Sequence, residues 1–489
     1  MPDLRPQGDS SVRQQAIRGT LWLGSSRMVT QLATWLVTLL VVRMLSPSDY
    51  GLFGFATLVT GIVELAAELG LGAAIVQKSE LDSDAFDTLF WTSIAMGLFV
   101  FGVTWLAAPA IARFFRQGEL IDVLRVTMIG FVIASARVVP WSLLTRQINF
   151  ARRSTAEVTS TLVASVATLV LAYLGSGVWS LVIGLLCRSL LLTLLCVWLM
   201  PWRPRWRFSL AHLEGTIRFG AEVSAARVVW YLYSNADFLI VGKMLGQQAL
   251  GLYSLVFQLA VLPTERITSI VGQVAFPVYS RIQHQPDRFA RYFLEILTLT
   301  SMVTFPIMTG LLVTADLGVL LLLPPAWHAV AAPLQVMCLV GMVMSVSTLV
   351  APAVLAKGRA GIVLRFNLFC LSIMPIGFVV GARFGLIGVC WAWLLLFPFM
   401  AAVWFHMTRK LLGCTWRQLV GSLAPAAAAS ALMLATLLLL RHLAGSLQTH
   451  WMLVLLIGVG VITYVAALAL CFPSRVAAAR QHLRLRASE

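Results

Sequence analysis

The chain has 489 residues, of which 59% are hydrophobic and 11% charged, with a mean hydropathy of +0.88 and a formal net charge of +16. Soluble domains carry roughly 25% charged residues, so this composition excludes a soluble globular protein and predicts an all-α polytopic membrane protein. The positive charge does not predict a nucleic-acid partner, because the basic residues lie in short segments between apolar runs and no basic block carries interleaved aromatics.

Apolar runs of about 18 residues or more predict about 14 transmembrane helices. In the first half they cover 19–43, 50–76, 87–112, 121–144, 156–174 and 177–200. In the second they cover 216–241, 249–277, 292–315, 331–355, 361–381 and 384–406, followed by 419–440 and 450–472. The first run carries Arg27 and is too long for the apolar core of a cleavable signal, so it is expected to act as a signal anchor. With a cytoplasmic N-terminus, 24 Lys and Arg fall on the cytoplasmic side and 7 on the other, which predicts both termini in the cytoplasm.

The runs are organised as a duplication. VRMLSPSDYGLFGF at 42–55 aligns on GKMLGQQALGLYSL at 242–255, LRVTMIGF at 124–131 on LQVMCLVG at 334–341, and AYLGSGVWSL at 172–181 on ARFGLIGVCWAW at 382–393. Three matches in one order predict two pseudo-symmetric six-helix lobes around a central cavity, plus two C-terminal helices outside the repeat. An even-numbered repeat unit inserts both lobes with the same orientation. The expected domains are therefore an N-lobe at 1–200, an interfacial cytoplasmic linker at 201–215, a C-lobe at 216–410, and a last helix pair with a basic tail at 411–489. The linker begins PWRPRWRFSL, rich in Pro, Arg and Trp, as suits a membrane–water interface.

Charges at membrane depth are costly and normally face a protein interior or a wet cavity. Arg27, Arg227, Arg266 and Arg188 lie inside spans and are the candidates for holding an anionic group such as a diphosphate, because guanidinium donates paired hydrogen bonds to phosphate oxygens. The competing reading is structural, with Arg and Glu on neighbouring helices locking packing. Arg137, two turns from a span end, is read as a snorkelling cation. Glu64, Glu68, Asp237 and Glu265 are coupling or counter-ion candidates, and proton, sodium and membrane potential stay open as the energy source. Polar stripes at helical spacing run along several spans, among them Thr57, Gly61, Glu64 and Glu68 in the second, with Tyr231 in the seventh.

Neither scattered His nor the seven Cys suggest a metal site, and no catalytic motif is present. The phosphate-binding pattern GxxxxGK[ST] is absent, so neither a nucleotide nor another cofactor is expected. No predicted loop is long enough for the acceptor domain of a membrane polymerase or ligase, which argues against an enzyme.

Taken in order, LSPSDYGLFGFATLV, ELGLGAAIVQ, LTRQINFARRS and AYLGSGVWSLVIG resemble the Wzx-type lipopolysaccharide and exopolysaccharide flippases of the multidrug/oligosaccharidyl-lipid/polysaccharide exporter superfamily, nearest the colanic acid exporter-like branch. The resemblance covers most of 15–410. It implies alternating access that moves an undecaprenyl-diphosphate-linked oligosaccharide from the cytoplasmic to the periplasmic leaflet of a bacterial inner membrane. It also implies membrane lipids, a polymerase and chain-length proteins as partners. A drug or small-solute exporter and a lipid II-type flippase share the architecture and are the alternatives.

Overall fold

The computed structural model describes residues 34–67, 83–146, 150–207, 228–444 and 448–471. All regular structure among them is helical, and the chain divides into two compact units, Met1–Leu232 and Tyr233–Glu489.

In the N-terminal unit the helices are α1 (34–42), α2 (Pro47–Ala67), α3 (Ser83–Phe115), α4 (Leu120–Ser135), α5 (Val138–Arg146), α6 (Phe150–Tyr173) and α7 (Val178–Leu199), and the short α8 (228–234) runs through the boundary between the units. The C-terminal unit holds α9 (Ala236–Leu245), α10 (Gln247–Ile282), α11 (Pro286–Leu322), α12 (Ala331–Ser347), α13 (Val350–Ala356), α14 (Ala360–Ala382), α15 (Gly385–Leu412), α16 (Trp416–Leu443) and α17 (Thr449–Cys471). Nine helical segments among the described residues are long and apolar enough to cross a membrane, and eleven if each of two bent pairs counts as one span. The other three expected spans, at 19–43, 50–76 and 216–241, run into residues outside the described set.

The two units repeat one packing scheme. In the first, α4 packs on α2, α3 and α7, and α6 packs on α7; in the second, α12 packs on α10, α11 and α15, and α14 packs on α15. Local detail repeats as well. Gly175 and Gly385, matched in the sequence repeat, both take φ of 76° at the turn into α7 and α15, a conformation that costs glycine little. Each unit also breaks a helix with a proline at the corresponding place. Pro140 lacks the N–H that would bond to Ala136 and its ring crowds that carbonyl, so α4 stops at Ser135 and α5 restarts 48° away. Pro352 stands four residues after Thr348 in the same way, and α12 ends at Ser347 before α13 starts at Val350.

The SPSD turn at 46–49 is a helix start. Ser46 Oγ accepts from the Asp49 N–H at 3.2 Å while Asp49 Oδ2 accepts from the Ser46 N–H at 3.0 Å, with Pro47 in the first position of α2. Asp49 Oδ1 also accepts the Val178 N–H at 3.1 Å, so one carboxylate caps α2 and α7 together. At the far end of the chain, α16 and α17 pack on α11 through Val313, Met433, Leu437, Leu456 and Tyr464. Arg441 clasps both oxygens of Asp316 across that contact.

Candidate functional site

The N-terminal unit gathers its charges around the elbow between α4 and α5. Val139, Leu143 and Leu144 of α5 are buried with Leu89, Phe90, Ala156, Leu192 and Cys196, which holds the short helix against α3, α6 and α7. The elbow residue Arg137 is partly buried there, close enough for the charges of Arg188, Glu64 and Glu157 to act on it. Those three come from α7, α2 and α6. Glu157 is paired with Arg153 at 3.8 Å, and the Arg153 guanidinium lies 4.2 Å from the Trp141 ring of α5. Arg188 and Glu64 keep exposed side chains. Among the described residues no carboxylate lies within ion-pairing distance of Arg188.

A tyrosine borders this cluster. Tyr231 of α8 donates its hydroxyl to the carbonyls of Leu58 at 3.1 Å and Thr57 at 3.4 Å, over Gly61, where any added Cβ would collide with the phenol. Glu64 lies one turn on, and its charge acts on that phenol. Two of the polar stripes read from the sequence, those carrying Thr57–Gly61–Glu64 and Tyr231, therefore meet.

The C-terminal unit treats its interior charge differently. Asp237, in the first turn of α9, is fully buried. It accepts from the Tyr253 hydroxyl of α10 and from Trp393 Nε1 of α15 at 3.1 Å, and the indole N–H also reaches the Tyr253 oxygen at 2.9 Å. Phe238 packs edge-on against Tyr253 with Phe257 tilted beside it, and Phe378 and Phe397 lie tilted against Trp393. Burying a carboxylate in so apolar a setting is costly unless donors hold it, and here two neutral donors hold Oδ2, with no cation paired to it among the described residues.

Of the residues singled out from sequence, Glu64 and Arg188 are brought together in the N-terminal unit, and Asp237 is sealed in the C-terminal unit. Glu265 and Arg266 are exposed on α10, beyond the 44° bend before Pro263. Arg27, Arg227 and Glu68 lie outside the described residues. Three residues went unread. Arg137 was legible only as a snorkelling cation, yet Pro140 three positions on signals the break that turns it inward. Tyr253 and Trp393 lie in the repeat segments, but nothing local marks them as partners of Asp237, 16 and 156 residues away along the chain.

Relatives and folds agree with this architecture. The chain is similar to the lipopolysaccharide biosynthesis protein WzxC of Escherichia coli, 26% identical over 418 residues that cover 84% of this chain and 85% of that protein. It is similar to the teichuronic acid biosynthesis protein TuaB of Bacillus subtilis, 24% identical over 470 residues covering 95% and 97%. Among solved structures, the lipid II flippase MurJ in its inward closed conformation matches with a TM-score of 0.77 at 14% identity, over 93% of this chain and all of that one, a likeness of fold. The model of the family described as polysaccharide biosynthesis protein matches residues 40–332, more than half of the sequence, and the chain belongs to that family.

Proposed function

We propose that this protein flips an undecaprenyl-diphosphate-linked oligosaccharide repeat unit from the cytoplasmic to the periplasmic leaflet by alternating access, as a step in surface polysaccharide biosynthesis. The observation that carries the reading is the exposed Arg188, without an ion-pair partner among the described residues, beside Arg137 in a bundle of apolar helices. A cation in an apolar span with no carboxylate partner among the described residues is explained by an anionic cargo. A diphosphate suits it, since guanidinium groups match phosphate oxygens in geometry and neutralise part of the charge that opposes entry into the bilayer. Arg27, Arg227 and Arg266 are proposed to extend this cationic surface. Membership of a polysaccharide biosynthesis family and the names of the relatives support the cargo class, and the flippase-like fold supports the mode of movement.

On this reading the protein is a transporter of the bacterial inner membrane with both termini in the cytoplasm, working beside a polymerase and chain-length proteins. Glu64, Glu68, Asp237 and Glu265 are the groups proposed to couple transport to protons, sodium or membrane potential.

The test is a reconstitution. Proteoliposomes containing the purified full chain are loaded with a fluorescent undecaprenyl-diphosphate-linked oligosaccharide, and transbilayer movement is followed by quenching from one side. Protein-dependent movement of this lipid, absent with a neutral lipid-linked sugar, is the expected result. Movement of lipid II alone, or of small organic cations in place of the lipid-linked sugar, overturns the proposal.

A further inference from the structure

The segment just beyond α7, PWRPRWR at 201–207, is strapped to the start of α3. The Trp91 indole donates to the Arg205 carbonyl at 2.8 Å, and the Arg205 N–H donates to Asp87 Oδ1 at 3.1 Å. Arg207 pairs with Asp84 at 3.0 Å. The Trp206 ring stacks on Trp91 with centroids 3.9 Å apart, and Trp202 meets the edge of Phe90 at 5.6 Å. Arg203 turns back to cap α7, donating to the carbonyls of Val197 at 2.7 Å and Met200 at 2.6 Å.

These contacts leave a defined outer face. Asp84 is matched by Arg207, and Asp87 is buried beneath the backbone, so neither carboxylate remains to oppose an approaching anion. The Arg205 guanidinium is exposed with no partner among the described residues, and Trp206 is 87% exposed. Both stand where two apolar spans end, on the side that the distribution of basic residues assigns to the cytoplasm.

We infer that the 201–207 strap is a binding surface for anionic phospholipid headgroups of the surrounding bilayer, with Arg205 meeting the phosphate and Trp206 lying among the glycerol and upper acyl groups. Indole rings with one apolar and one polar side prefer that depth. A basic side chain at an anionic surface is worth enough to change occupancy about five-fold. Because the backbone is already held by Asp87 and Trp91, binding orders only the outward side chains and little entropy is lost. The inference is independent of the cargo assignment, since it concerns bilayer lipid at the rim of one unit.

The experiment uses the full chain in nanodiscs of equal parts phosphatidylcholine and phosphatidylglycerol, with lipids retained on release from the disc counted by native mass spectrometry. The wild type is expected to keep phosphatidylglycerol over phosphatidylcholine. Arg205→Gln should reduce that preference about five-fold, and adding Trp206→Ala should reduce it further, with melting of Arg205→Gln in pure phosphatidylcholine discs unchanged because its guanidinium is exposed without a partner among the described residues. An unchanged preference in the double variant overturns the inference. So does displacement of phosphatidylglycerol from the wild type, but not from Arg205→Gln, by an undecaprenyl diphosphate added at lower concentration, which would assign the strap to cargo capture.

Discussion

The two units share a packing scheme and differ in what they put at the equivalent break. In the N-terminal unit the position three residues before the proline is Arg137, surrounded by other charges. In the C-terminal unit it is Leu349, 2% exposed. The N-terminal unit leaves Arg188 and Glu64 accessible, whereas the C-terminal unit closes Tyr253 and Trp393 over its interior carboxylate. A duplicated scaffold has thus been specialised, with one copy presenting charge and the other sealing it. Stability and transport should therefore respond to different substitutions in the two copies.

The largest effect on stability is expected at Asp237. Asp237→Leu leaves the Tyr253 hydroxyl buried without its acceptor, at about 1–3 kcal/mol, and the Trp393 N–H with the Tyr253 oxygen alone. Melting in detergent should fall steeply. If Asp237→Leu melts like the wild type, the C-terminal unit is not closed around its carboxylate.

The two elbows give the next contrast. Leu349→Ala removes a buried side chain and should cost about 2–5 kcal/mol of stability. Arg137→Ala, at the corresponding place in the other unit, should leave melting within about 1 kcal/mol of wild type because Glu157 keeps Arg153 and Glu64 is exposed, so no carboxylate is left buried and uncompensated. Equal destabilisation by both would erase the distinction between the units.

The smallest contrast concerns how closely paired helices approach. In α14 and α15, Gly381 and Gly388 face one another's backbone, while Gly184 of α7 faces the rotatable Thr168 side chain of α6. Gly388→Ala should cost about 1–3 kcal/mol by overpacking against a carbonyl that cannot turn away. Gly184→Ala should cost less, since Thr168 can change rotamer. Thermal melting of the two variants side by side checks the order.

Much of this architecture is legible in the sequence, for physical reasons that differ from residue to residue. Long apolar runs declare spans because lipid offers no hydrogen bonds to an open backbone. The repeat was visible through its turns, where Gly175 and Gly385 occupy a conformation few other residues accept. Asp49 could be read as part of a turn, but its second role as the cap of α7 depends on a contact 129 residues away. Arg137 illustrates the same limit. Its distance from a span end suggested snorkelling, and only the inward packing of α5 places it among Arg188, Glu64 and Glu157. Periodicity along one helix reports which residues share a face, while the identity of the facing helix is a property of the fold.

The central claim, that the N-terminal elbow presents its cation to an anionic cargo, is tested most directly by Arg137→Leu, which gives the N-terminal elbow the residue found in the C-terminal one. Hydrogen bonds to charged groups contribute about 1.5–3 kcal/mol, so flipping of the diphosphate-linked lipid in proteoliposomes should fall roughly ten- to hundred-fold while the protein stays folded and inserted. Arg137→Lys should restore part of the activity by returning the charge without the paired donors. Wild-type flipping by Arg137→Leu would contradict the account.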